Sequence, residues 1–186
     1  MTTFDEKFYE LITKKENFEY ANEIHQRFDK VLDTLYERFW SSLNKIITKN
    51  RIDNFKVNSV GVWEIEINCN DWEYFKAFIS WNDEYKVQYG IYLSNKSIKK
   101  KISKIDTYFE NSDYLFELSN DSDNNIYTLY FDEDFAIESE LIKIIPENVD
   151  ELNKKYSDTF WEFVNSISKD IKYIEKQINN NGEISN

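Results

Sequence analysis

The side chains able to do chemistry in this chain are few and scattered. There is one histidine, His25, and one cysteine, Cys69. A catalytic base is most often a histidine, but His25 sits one residue from Ile24 in a helical pattern, and no Ser or Cys motif accompanies it. A Cys69–His25 dyad is conceivable in three dimensions; the plainer reading of Cys69 is a strand residue on a core face. One thiol excludes a disulfide framework and a multi-thiolate zinc site, and one imidazole excludes a His-rich metal centre. With three glycines, no clustered glycine loop is present to cradle a phosphate or a dinucleotide. No cofactor is expected and no metal ligands are assigned.

Two short motifs point to metal chemistry. Glu84-Tyr85-Lys86 resembles the E-x-K element of restriction-endonuclease-like nucleases, with Asp71 upstream as the further acid. That resemblance implies a nuclease domain, active or degenerate, using Glu84 and Lys86. Geometry opposes it: Asp71 and Glu84 flank a strand predicted over 72–81, and ten residues at about 3.3 Å each separate them by on the order of 33 Å. Two carboxylates must approach closely to share a divalent ion. Asp121-Ser-Asp123-Asn-Asn125 resembles the opening of a calcium loop, whose sixth position must be glycine and whose twelfth is glutamate. Here those positions are Ile126 and Asp132, and a polar hairpin turn is the simpler account. Lys96, Lys99, Lys100, Lys101 and Lys104, with Tyr74 and Tyr92 on a wet sheet face, could contact phosphates and stack on bases. A Lys-rich outer helix face explains the same residues, and the acidic total opposes a polyanion; nucleic acid is not the expected partner.

The elements that must position these residues are legible from periodicity. A short helix is predicted over about 3–14 from Phe4, Phe8, Leu11 and Ile12. A long helix over about 19–49 carries Ile24, Phe28, Val31, Leu35, Phe39, Leu43 and Ile46, with Leu32, Tyr36, Trp40 and Ile47 beside them. That width suits two neighbours, or one neighbour and another subunit, so homo-oligomerisation through this helix is an expectation.

From Val57 the period becomes two. Strands are predicted over 62–69, 72–81 and 85–93, with Phe75, Ala77 and Ile79 beside Val87, Tyr89 and Ile91. Glu64 is expected opposite Lys76, a cross-strand ion pair worth about 0.2–1 kcal/mol. A helix follows with Ile98, Ile102, Ile105 and Phe109, then strands over 114–118 and 126–131 around the turn 119–125. A last helix starts near Pro146 and continues to Ile178. The fold class is therefore α+β: an antiparallel β-meander of about five strands packed with long N-terminal and C-terminal helices and one inserted helix. At about 150 residues per domain, the 186 residues read as one domain, 1–178, with a disordered tail over 179–186. Neither a signal peptide nor a membrane span is seen, and a cytoplasmic location is expected.

Charge is the informative feature. The chain carries a formal charge of −12. Between Asp106 and Glu151 there are 14 acids and one base, Lys143, while the rest holds 21 acids and 22 bases. A solvating surface would account for this blandly. The sharper expectation is a binding surface formed by Asp121, Asp123, Asp132, Glu133, Asp134, Glu138 and Glu140, since complementary fields speed encounter and suppress wrong partners. Small, acidic, Lys/Asn/Ile-rich chains of this shape resemble bacterial or phage accessory proteins. The resulting expectation is a non-enzymatic module, inhibitor or immunity-like, that engages a protein partner with a basic surface.

Overall fold

The computed structural model describes residues 7, 9–11, 13–59, 61, 63–82, 86–94, 98, 102–121, 124–135 and 138–180; the side chains at 59, 102, 119–121, 124–125, 133–134 and 138–140 lie outside that description. Three long or medium helices, α1 (Lys15–Lys49), α2 (Ile102–Glu110) and α3 (Val149–Asn179), accompany six strands. The strands are β1 (Phe55–Ser59), β2 (Glu64–Cys69), β3 (Phe75–Trp81), β4 (Lys86–Leu93), β5 (Glu117–Asp121) and β6 (Asn124–Asp134). A 3₁₀ helix spans Glu138–Ile144. This is the α+β class expected, with β1 as a sixth strand. Residues 7 and 9–11 are helical; Phe4, Phe8 and Ile12 of the predicted first helix lie outside the described residues, as does the tail from 181 onward.

Residues 1–38 form one compact unit and residues 39–186 another. In the first, much of the α1 stripe is exposed: Ile24 is 67% exposed, and Phe18, Phe28 and Val31 are exposed as well, while Leu32 and Leu35 are half-buried. The local support there is helical: a Glu23–Arg27 pair at 2.6 Å, four residues apart, of a kind worth about 0.3–0.5 kcal/mol.

The second unit is an antiparallel sheet in the order β1-β2-β3-β4-β6-β5. Helix α2 intervenes between β4 and the β5–β6 hairpin, and β6 rather than β5 pairs with β4. Pairing puts Ile65 opposite Ile79, Ile67 opposite Ala77, Ala77 opposite Ile91 and Ile79 opposite Tyr89. The expected grouping of Phe75, Ala77 and Ile79 with Val87, Tyr89 and Ile91 is thus correct. The expected offset between β2 and β3 is not: Glu64 faces Ser80, and the partner of Lys76 is Glu66. Parity fixes which face a residue occupies, but a slip that preserves parity leaves both faces intact.

One sheet face is covered. Tyr156, Phe160, Val164, Ile167, Ile171 and Ile174 of α3 are fully buried, and so are Phe39, Leu43 and Ile47 from the last turns of α1. Phe131 stacks on Tyr156 at 3.9 Å, while Tyr89 meets Phe163 edge-on at 5.3 Å. Phe39 packs against Trp81 at 5.5 Å. Each such side chain contributes about 1.5–3 kcal/mol on burial. Polar side chains of α3 secure its course: the Asn153 amide donates to the Phe39 carbonyl at 3.0 Å, and the Trp161 indole to the Ile47 carbonyl at 3.3 Å. At the far end Glu175 Oε1 accepts the backbone N–H groups of Glu73 and Tyr74 at 2.8 and 2.7 Å, closing the start of β3 onto the helix.

Candidate functional site

The opposite sheet face holds a cavity of about 290 Å³ whose described lining comes from strands alone. Strand pairing lays it out in rows. Across the middle, Glu66 faces Phe78, Phe78 faces Gly90, Gly90 faces Thr128 and Thr128 faces Glu117. Beside this row lie Glu64, Ser80, Gln88 and Tyr130; on its other side Tyr92 faces Ile126. Directly opposed residues in antiparallel strands have Cβ atoms about 4.5–5.5 Å apart, so each row is a line of neighbouring side chains, broken in the middle row at Gly90.

Gly90 makes the floor. A Cβ there would stand 2.0 Å from the Tyr127 carbonyl oxygen and 3.2 Å from the Phe78 ring. Only glycine lets β6 approach β4 this closely, and a separate register shift between Lys86 and Gln88 lies further along the same strand pair.

The polar groups divide into satisfied and unsatisfied sets. Glu66 is only 8% exposed although it sits on the side facing away from the helices. It is met by Lys76 Nζ at 3.1 Å and by the Tyr92 hydroxyl, which donates to Oε1. Lys76 also lies 5.9 Å from the centre of the Tyr92 ring. Gln88 Nε2 donates to Ser80 Oγ at 3.1 Å. Glu64, by contrast, makes no ion pair or hydrogen bond with a described side chain. Its carboxyl is pushed above the usual range, first by burial and then by the Glu66 charge, with Lys76 drawing it partly back. Thr128 is 4% exposed and its hydroxyl has no hydrogen-bond partner among the described residues.

A larger polar hollow, about 790 Å³, lies between α2 and α3. Its hydroxyls are engaged: Tyr108 donates to Asp170 at 2.9 Å and Tyr114 meets Ser166 at 2.5 Å. Burial and Asp170 push Tyr108 up to about 12, which keeps the phenol protonated at neutral pH.

The residues singled out by sequence fall as follows. His25 is exposed on α1. Cys69 is buried, and burial raises its thiol pKa, the reverse of nucleophile activation. Asp71 is paired with Lys172 at 2.8 Å, and Glu84 lies outside the described residues. Tyr74 is buried, with its hydroxyl donating to Asn179 Oδ1 at 2.7 Å, so it is not a stacking platform. Lys96, Lys99, Lys100 and Lys101 are outside the described residues; Lys104 is exposed. No group of three or more His, Cys, Asp or Glu that could hold a metal ion occurs among the described residues. No described helix is long and apolar enough to cross a membrane.

Of the acidic set, Asp132 is exposed near the end of β6, within the stretch where the β4–β6 register shifts, and its charge acts on the Tyr89 hydroxyl. Asp121 pairs with Asn124 at the other end of the hairpin, about 26 Å from Asp132 at 3.3 Å per residue. Glu133 and Asp134 end β6 and Glu138 and Glu140 begin the 3₁₀ helix, with side chains outside the description; Asp123 lies wholly outside it. The acids therefore follow the length of the hairpin rather than one spot. Sequence reasoning missed Glu64, Thr128 and Gly90. The detectable signal was Gly90, since a lone glycine inside a strand pattern marks a close backbone approach.

Comparison of the chain with protein-family profiles, curated proteins and solved structures finds no match.

Proposed function

We propose that the protein is a non-enzymatic binding module whose acidic hairpin engages a basic surface on a protein partner, as an inhibitor or immunity-like protein of bacterial or phage type would. The observation that carries this reading is the charge distribution, 14 acids against one base between Asp106 and Glu151 in a chain otherwise near neutrality. Asp132 and Glu117, both exposed, bring part of that charge to the surface of the hairpin, Glu117 on the sheet face not occupied by helices. An extended acidic band suits a groove-like or helical basic surface better than a single point contact, and its field accelerates encounter.

The test is capture of a partner by the intact protein at low and high salt, repeated with Asp132→Asn, Glu133→Gln and Asp134→Asn combined. Binding should weaken by about tenfold or more in the triple variant and fall with salt. Affinity indifferent to both changes would sink the electrostatic mechanism.

A further inference from the structure

The cavity on the uncovered sheet face has an unusual balance of hydrogen-bonding capacity. Lys76, the cation beside it, is committed to Glu66. One N–H of the Gln88 amide is committed to Ser80 Oγ. What remains is mainly accepting and carries the charge: the Glu64 and Glu117 carboxylates and the Gln88 side-chain carbonyl, with the Ser80 and Thr128 hydroxyls able to donate or accept. Thr128 is nearly buried as a residue, and its hydroxyl opens onto the cavity, where a ligand atom can meet it. The walls are Phe78, Tyr130 and Ile126, so the chamber is apolar on its flanks and accepting at its polar end.

A ligand matching this inventory is a donor without acceptors, positively charged and able to lie against rings. Guanidinium fits on each count: five N–H donors in a plane, weak hydration and a face that stacks on aromatics. An anion would find only neutral hydroxyl and amide donors among the described lining residues and would meet the charges of Glu64, Glu66 and Glu117. We propose that this cavity is a guanidinium site, taking one arginine-type cation, either free or presented on a partner. Its size, about 290 Å³, lies at the small end of ligand pockets and suits a single side chain. Burial and Glu66 hold the Glu64 carboxyl above its usual range, so an incoming cation supplies compensation that the fold does not. The site deepens the partner-binding reading, but only its peptide-borne form rests on that reading.

The experiment titrates the protein with N-acetyl-arginine methylamide, following amide shifts of β2, β4 and β6, with the uncharged citrulline analogue in parallel. The arginine probe should saturate and the citrulline probe should bind at least about tenfold more weakly, the difference a charge-assisted pair makes. Glu64→Gln and Thr128→Val, isosteric changes on separate strands, should each weaken the arginine probe, by about tenfold or more and about threefold respectively. The triple change at Asp132, Glu133 and Asp134 should leave it within about twofold. An arginine peptide binding through the same two residues identifies the presented form; binding of the small probe alone identifies the free form. Equal binding of both probes, or no response of these strands to arginine, overturns the site. Partner binding lost in the triple variant but untouched by Glu64→Gln overturns the partner-presented form of the site, while the acidic-hairpin reading stands.

Discussion

The two faces of one sheet follow different rules. The helix-covered face is filled by Ile65, Ile67, Ala77, Ile79, Val87 and Ile91 against α3 and the end of α1, with rings in contact from Phe39 through Tyr156 to Phe131. The other face, equally short of water at Phe78, Glu66 and Thr128, is built from carboxylates, hydroxyls and an ammonium group. Burial on the first face comes from helices laid over it. On the second it comes from the strands themselves, whose side chains shield one another around Gly90. The first arrangement maximises apolar contact; the second gathers polar groups around a cavity, which is where binding is to be sought.

The contrast is broken most directly from the covered side. Phe160→Ala removes a fully buried ring and should cost about 3–5 kcal/mol in urea unfolding. Gly90→Ala should come next, at about 2–3 kcal/mol, because its methyl group would collide with the Tyr127 backbone rather than with a movable side chain. It should also widen the open-face cavity by separating β4 from β6, so the same variant should weaken any cation bound there. A stability loss below about 0.5 kcal/mol would show that the two strands can separate freely.

The difference between the faces was only half legible in the sequence. Alternation over Trp63–Cys69 and Phe75–Ile79 assigns the faces correctly, since a period of two is fixed by backbone geometry. The same alternation marks Glu66 as solvated, whereas it is nearly buried; pattern reports which way a side chain points, not how deep its neighbours bury it. Offset was illegible for a related reason, and Lys76 therefore pairs with Glu66 instead of Glu64. The turn expected at 119–125 is largely strand, with Asn120 opposite Asn125 and Asp121 opposite Asn124, because pairing with β6 overrides the turn preference of Asn and Asp. In α1 the stripe from Ile24 to Ile46 is continuous in sequence, yet Ile24, Phe28 and Val31 are exposed and Phe39 and Leu43 are buried. Periodicity identifies a helix face; only the rest of the structure says whether anything meets it.

Lys76→Met sharpens the contrast on the open side. It leaves Glu66 with the Tyr92 hydroxyl alone and should cost about 1–2 kcal/mol, less than a fully buried pair because the Lys76 side chain is 32% exposed. Adding Glu66→Met should recover much of that loss, since well-packed apolar residues often replace a buried ion pair without penalty. Recovery would mean the charges on this face are not kept for stability. Failure to recover would make them structural and erase the distinction between the two faces.

The smallest effect concerns pH and separates two carboxyls that burial raises alike. Glu175, under the helix-covered side, is offset by N–H groups of Glu73 and Tyr74; Glu64, on the open side, is opposed by the Glu66 charge and aided only by Lys76. An ordinary carboxyl titrates near 4.5. Between that value and the raised folded-state value the folded protein holds a proton the unfolded chain has released, so stability falls as pH rises through the window and is flat above it. Glu64→Gln removes this slope while Glu66, Lys76, Glu117, Tyr92 and Tyr130 remain. Its melting temperature should therefore exceed that of the unchanged protein near neutrality, with the gap closing below about pH 4.5. A saturating arginine probe should close the same gap from the other side, by giving the Glu64 carboxylate the cation it lacks. A gap that persists unchanged with the probe bound would place the cation elsewhere on the molecule.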